Sequence, residues 1–90
     1  MYFILAVGGD QVKIGLSDNP AERLAQLQVG NAYPLSLLGA IRANASKEKE
    51  LHRQLAAHAM SGEWFRFSCV EKEIGALLKK RSGTQNARTE

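Results

Sequence analysis

The stretch Gln11–Leu27, "QVKIGLSDNPAERLAQL", decides the fold. In its first part Val12 and Ile14 share one side while Gln11 and Lys13 take the other, the alternation of a strand with one face on a core. Gly15 closes that run. Asn19 then offers a helix N-cap, Pro20 suits the first helical position, and Glu22 stands where a capping-box carboxylate belongs. Ala21, Leu24, Ala25 and Leu27 give the new helix an apolar stripe. A strand end, a glycine and an arginine just inside the next helix, Arg23, are thus held close together.

Upstream, Tyr2 to Val7 is an aromatic and β-branched run that stops at "GGD", so it pairs with the Gln11–Gly15 strand as a hairpin. Downstream, "VGNAYP" ends the helix, with Gly30 or Asn31 suited to the left-handed conformation and Pro34 blocking continuation. "LSLLGAIRA" reads as a third strand buried on both faces. Asn44 or Ser46 opens a second helix, "SKEKELHRQLAAHAM", with Leu51, Leu55 and Ala59 inward, which stops near Gly62. "WFRF" is long enough only for an edge strand or an extended segment. A third helix, from about Val70 to Lys80, sets Val70, Ile74, Leu77 and Leu78 on one face. The polar, aperiodic end reads as a tail. The expectation is one domain over residues 1–81 with a flexible tail at 82–90. Its class is α+β: a small, mainly antiparallel three-stranded sheet flanked by helices, in the order β-β-α-β-α-α.

Composition narrows the function classes. Ninety residues, 44% hydrophobic, make one small domain with a modest core. No apolar run approaches the roughly 20 residues of a membrane span. The apolar start lacks the positive leader of a secretion signal, which makes the cytoplasm the default compartment. The single cysteine, Cys69, excludes an internal disulfide and a multi-cysteine metal site, and reads as a small apolar residue beside "WFRF". A net charge of +3 is compatible with a polyanionic partner without requiring one. His52 and His58, six apart, fall on different helix faces and are no zinc pair. No Gly-x-Ser-x-Gly elbow supports serine hydrolysis, and no Walker or dinucleotide fingerprint is present.

Two residues are out of place. Glu48 lies on the side of the second helix that Leu51 and Leu55 turn inward. A carboxylate there either meets water in the first turn, favoured by the helix dipole, or needs a salt bridge, a hydrogen bond or a metal ion. His52, four residues on, suits a hydrogen-bonded core histidine. Arg23 is either a solvated arginine or a fork for phosphate reaching back toward Gly15.

Together, "YFI", "VKIGLS", "RLAQLQVGNAYPLSLL", "EKELH" and "GEWF" resemble, in the same order, the GIY-YIG nuclease superfamily. They are most similar to its small phage and bacterial branch of T5-type DNA-binding domains. The resemblance covers Tyr2 to about Phe67, and five weak pieces in register make a strong one. It implies an endonuclease that binds and hydrolyses DNA phosphodiesters, with RNA as a second candidate polyanion, and with one Mg2+ or Mn2+ ion. It assigns catalytic roles to Tyr2, Lys13, Arg23 and Glu48, with Glu48 the metal ligand. It places Lys13, Gly15, Arg23, His52 and Trp64 on the DNA. Lys13 stands where many relatives carry the tyrosine of the second name motif. A lysine serves as a base only when burial or a neighbouring cation favours its neutral form; otherwise it is a cation for phosphate. The alternatives are a catalytically inactive DNA-binding module of the same fold, or a protein–protein adaptor.

Overall fold

The computed structural model describes the backbone of residues 1–89 and the side chains of residues 1–79. The elements are β1 (Tyr2–Ala6), β2 (Gln11–Gly15), α1 (Pro20–Val29), β3 (Leu35–Ala40), α2 (Ala45–Gln54), a 3-10 turn (Ala56–His58), β4 (Ala59–Ser61), β5 (Trp64–Arg66) and α3 (Phe67–Thr89). The α+β class is as the sequence implies. The sheet, however, has five strands in the order β3-β1-β2-β5-β4, and every pairing is antiparallel.

Two corrections follow from that order. "WFRF" supplies β5, which is not an edge: it lies between β2 and β4, with Lys13 opposite Trp64. β3, expected to be buried on both faces, is an edge strand with no fully buried residue. The doubly buried strands are β1 and β2. Phe3, Val12, Ile14 and Phe65 join Leu51, Leu55, Val70 and Ile74 in the core, while Tyr2, Ile4 and Ala6 are buried on the other face.

The helix caps explain where the chain turns. Asn19 caps α1 through Oδ1, which accepts from the Glu22 N–H at 3.2 Å, and Pro20 follows as the first helical residue. The expected left-handed exit is absent: Gly30 has φ −104°, and Asn31 does not take a positive φ either. Gln28 closes that end instead. Its Oε1 accepts from the Leu35 N–H at 2.7 Å and its Nε2 donates to the Tyr33 carbonyl at 3.0 Å, tying α1 to the start of β3. The α1 stripe is shallow: Leu24 and Leu27 are half-buried, Ala21 and Ala25 exposed.

Asn44, of the two candidates, caps α2 by accepting from the Lys47 N–H at 2.9 Å. Leu51 and Leu55 are buried as expected, but the helix stops at Gln54 and Ala59 is an exposed residue of β4. α3 starts three residues before the expected point because its cap comes from far away in sequence. Asp10 accepts from the Ser68 N–H at 2.8 Å and the Ser68 hydroxyl at 2.9 Å. Its backbone carbonyl also accepts from the Phe67 N–H at 2.9 Å. Those two bonds to Ser68, ahead of Arg66 nearby, hold the Asp10 carboxyl below its ordinary pKa. Cys69, expected to pack beside β5, is exposed. The tail expected over 82–90 lies outside the fully described residues. Among the described residues no helix is long and apolar enough to cross a membrane.

Candidate functional site

The hairpin sets the first two side chains. Tyr2 pairs with Gly15 across β1 and β2, and Ile4 pairs with Lys13. Directly opposite residues share a sheet face, so Tyr2, Gly15, Lys13 and Trp64 lie on the face opposite the main core. The Tyr2 ring lies across Gly15: a β-carbon there would stand 2.5 Å from the tyrosine oxygen. Tyr2 is 1% exposed. Among the described residues no buried side-chain nitrogen or oxygen lacks a hydrogen-bond partner.

Among the described residues Lys13 is the only buried polar or charged side chain. Its ammonium meets Glu63 Oε1 at 3.3 Å and sits 5.6 Å from the centre of the Trp64 ring. The Lys13 side chain is thus held between a carboxylate and an indole face. Glu63 belongs to the turn between β4 and β5, and its carbonyl accepts from the Ile14 N–H at 3.1 Å. That bond extends the β2–β5 ladder and fixes the Glu63 side chain beside Lys13.

From the other side α2 brings Glu48 and His52, one helical turn apart. The ring of His52 is held twice: Nε2 is 2.9 Å from the Ile14 carbonyl oxygen, and the ring meets Phe65 edge-on with centroids 5.1 Å apart. A carbonyl can only accept, so Nε2 carries the proton and the lone pair of the neutral ring is on Nδ1. One ligand atom each from Glu48, His52 and Glu63 lie within 4.8 Å of one another, and all three residues are half-buried. Glu48 also acts on the Met1 amino group. Burial lowers the pKa of that group, and the Glu48 charge works in the opposite direction.

Glu63 therefore links two groups at β2: Glu48 and His52 from α2 on one side, and Lys13 beside Trp64 on the other, with Tyr2 over Gly15 on the same face as Lys13. Arg23 is half-buried on α1, and its guanidinium donates to Gln26 Oε1 at 3.3 Å on its own helix. Glu63 had no role in the sequence reading. Its signal was the "GEWF" run, whose tryptophan stands opposite Lys13 in the sheet. Tyr2 and Gly15 turn out to be a packing pair.

A family model described as the T5orf172 domain matches residues 2–82. No curated protein and no solved structure matches the chain.

Proposed function

The chain belongs to the T5orf172 domain family, and from that premise we propose that it is a DNA-acting domain of GIY-YIG type that hydrolyses phosphodiesters with a divalent metal. The observation that carries the reading is Glu63, which pairs with the buried Lys13 and also lies within reach of Glu48 and His52 on α2. A phosphodiester needs a cation against its non-bridging oxygens, a positioned water and a stabilised leaving oxygen.

On this reading the Lys13 ammonium binds the scissile phosphate, aided by the charge of Arg23. The Tyr2 hydroxyl positions or activates the attacking water. Glu48 holds a magnesium or manganese ion, and the site's carboxylates suit such a hard cation. When bound, the ion supplies charge neutralisation and water activation. Trp64 supports Lys13 from below, and its own edge is half-exposed to a base.

The test is plasmid nicking. Purified protein with Mg2+ or Mn2+ converts supercoiled DNA to the open circle, and Glu48→Ala abolishes this while keeping its melting temperature. Equal nicking by both proteins removes Glu48 from the chemistry.

One observation favours a second reading, a DNA-binding module without cleavage. Tyr2 is 1% exposed and Lys13 replaces the second-motif tyrosine, so the chain offers little phenolic surface to a water. Tight DNA binding with no cleavage of duplex, single-stranded or branched DNA, or of RNA, selects that reading.

A further inference from the structure

We propose that Glu48, His52 and Glu63 form one preformed three-residue site for a first-row divalent cation such as manganese, in preference to magnesium. The proposal rests on the reading of Glu48 as a metal ligand and adds two ligands that the family resemblance does not assign. The three residues come from two separate segments, α2 and the β4–β5 turn, yet bring one donor atom each to within 4.8 Å of one another. Metal bonds of about 2.1 Å set ligand atoms about 3 to 4.2 Å apart across an ion. Side-chain shifts of under about an ångström therefore close the site on the same scale.

The state of His52 is the second, independent support. A metal-bound histidine typically gives its other ring N–H to a carbonyl or carboxylate, which fixes the tautomer and the ring plane. The Nε2 contact with the Ile14 carbonyl at 2.9 Å is that arrangement, and it lies outside the ligand cluster. The Phe65 edge contact holds the same ring from another direction. With Nε2 given to the carbonyl, Nδ1 is the ring nitrogen left to act as a ligand.

Charge and donor type choose the ion. Glu48 and Glu63 bring two negative charges, and Lys13 offsets one of them through Glu63 Oε1. The remaining field favours a dication. An imidazole with two carboxylates suits manganese and the later first-row ions, whereas magnesium prefers oxygen and sheds water reluctantly.

The experiment uses the full chain without DNA and reads Mn2+ directly. An electron paramagnetic resonance titration should show one Mn2+ per chain, and pulsed measurements should show nitrogen-14 coupling from an imidazole. His52→Ala should lose that coupling and His58→Ala should keep it. His52→Ala also loses the Ile14 bond, so Glu63→Gln provides a variant of nearly unchanged shape. It should weaken Mn2+ binding by roughly tenfold or more, since even outer partners of ligands act on that scale. Mg2+ should compete with bound Mn2+ only at clearly higher concentration. Bound Mn2+ without nitrogen coupling, no Mn2+ binding, or unchanged affinity in Glu63→Gln overturns the proposal. If only Glu48→Gln abolishes binding, the three-residue site falls and the single-carboxylate reading stands. If the three-residue site is found but no variant or condition gives nicking, the nuclease reading falls and the site stands.

Discussion

Gly15→Ala tests whether the strand end is shaped around Tyr2. The new β-carbon would stand 2.5 Å from the tyrosine oxygen, 2.7 Å from Cζ and 3.1 Å from Cε2. Non-bonded carbons settle near about 3.5–4.0 Å, so ring and strand must part by about 1 Å. Tyr2 is 1% exposed, and the ring has no open space to enter. Overpacking of this kind costs about 1–3 kcal/mol, and the rigid ring argues for the upper half. The lost freedom of the unfolded glycine returns about 0.4–1 kcal/mol. The net loss is about 1–2.6 kcal/mol, which lowers the melting temperature by about 4–21 °C in a domain of this size. Thermal melts read it, with Gly30→Ala as the control, since no atom lies within 4 Å of a β-carbon there. In a Tyr2→Ala background the clash is gone, and the alanine at 15 should be nearly neutral. Equal losses in both backgrounds would refute the argument, because the cost would then be one of backbone and not of the tyrosine.

Gln28→Ala should cost about 0.5–1.5 kcal/mol in urea unfolding, with an unchanged m-value, because it removes the tie between α1 and β3. Asp10→Asn keeps the shape at the α3 cap and removes the charge. Since the folded carboxyl has a depressed pKa, its stabilisation is present above the ordinary aspartate pKa and lost as pH falls through the folded value. Melts of the two proteins should therefore differ at pH 7 and converge toward pH 3, and a gap that widens in acid contradicts the cap. Lys13→Arg should retain most DNA affinity, whereas Lys13→Ala should weaken it and flatten the salt dependence by about one phosphate contact's share. Loss of cleavage in Lys13→Arg with binding unchanged would instead mark Lys13 as a proton acceptor.

The parts of the fold that sequence reveals are those governed by local signals. Asn19 with Pro20, Asn44, and the alternation of Val12 and Ile14 each declare a boundary or a face within a few residues, and all three hold. Strand position is different. "LSLLGA" has the apolarity of an interior strand, but its place at the edge follows from the order in which strands assemble, which no window of sequence contains. β4 and β5 are three residues each, too short for any periodicity; β5 pairs with the distant β2, and β4 with β5. That pairing also ends α2 early, overriding the helix-favouring "LAAHAM" with its alanines. The site divides in the same way. Glu48 and His52 stand out because they break or flank a helical stripe, whereas Glu63 sits in a turn where a glutamate is unremarked. Only the fold brings it to Lys13.

Lys13 and Glu63 bear on each other's work. The ion pair is unequal in exposure, with the lysine side chain at 11% and the glutamate at 44%, so anything arriving from solvent meets Glu63 first. A phosphate that is to reach the ammonium must share it with Glu63 or displace the carboxylate, and either costs part of the pair's attraction. A cation on Glu63 reverses that balance, because it draws charge from the carboxylate and leaves the ammonium under-neutralised. On the proposed reading, metal and DNA then favour each other's binding through one carboxylate, by the same factor in both directions. A lysine at this position suits such a site. A phenol beside Glu63 would have no charge to hand over when the metal binds, whereas a lysine converts metal occupancy into affinity for phosphate.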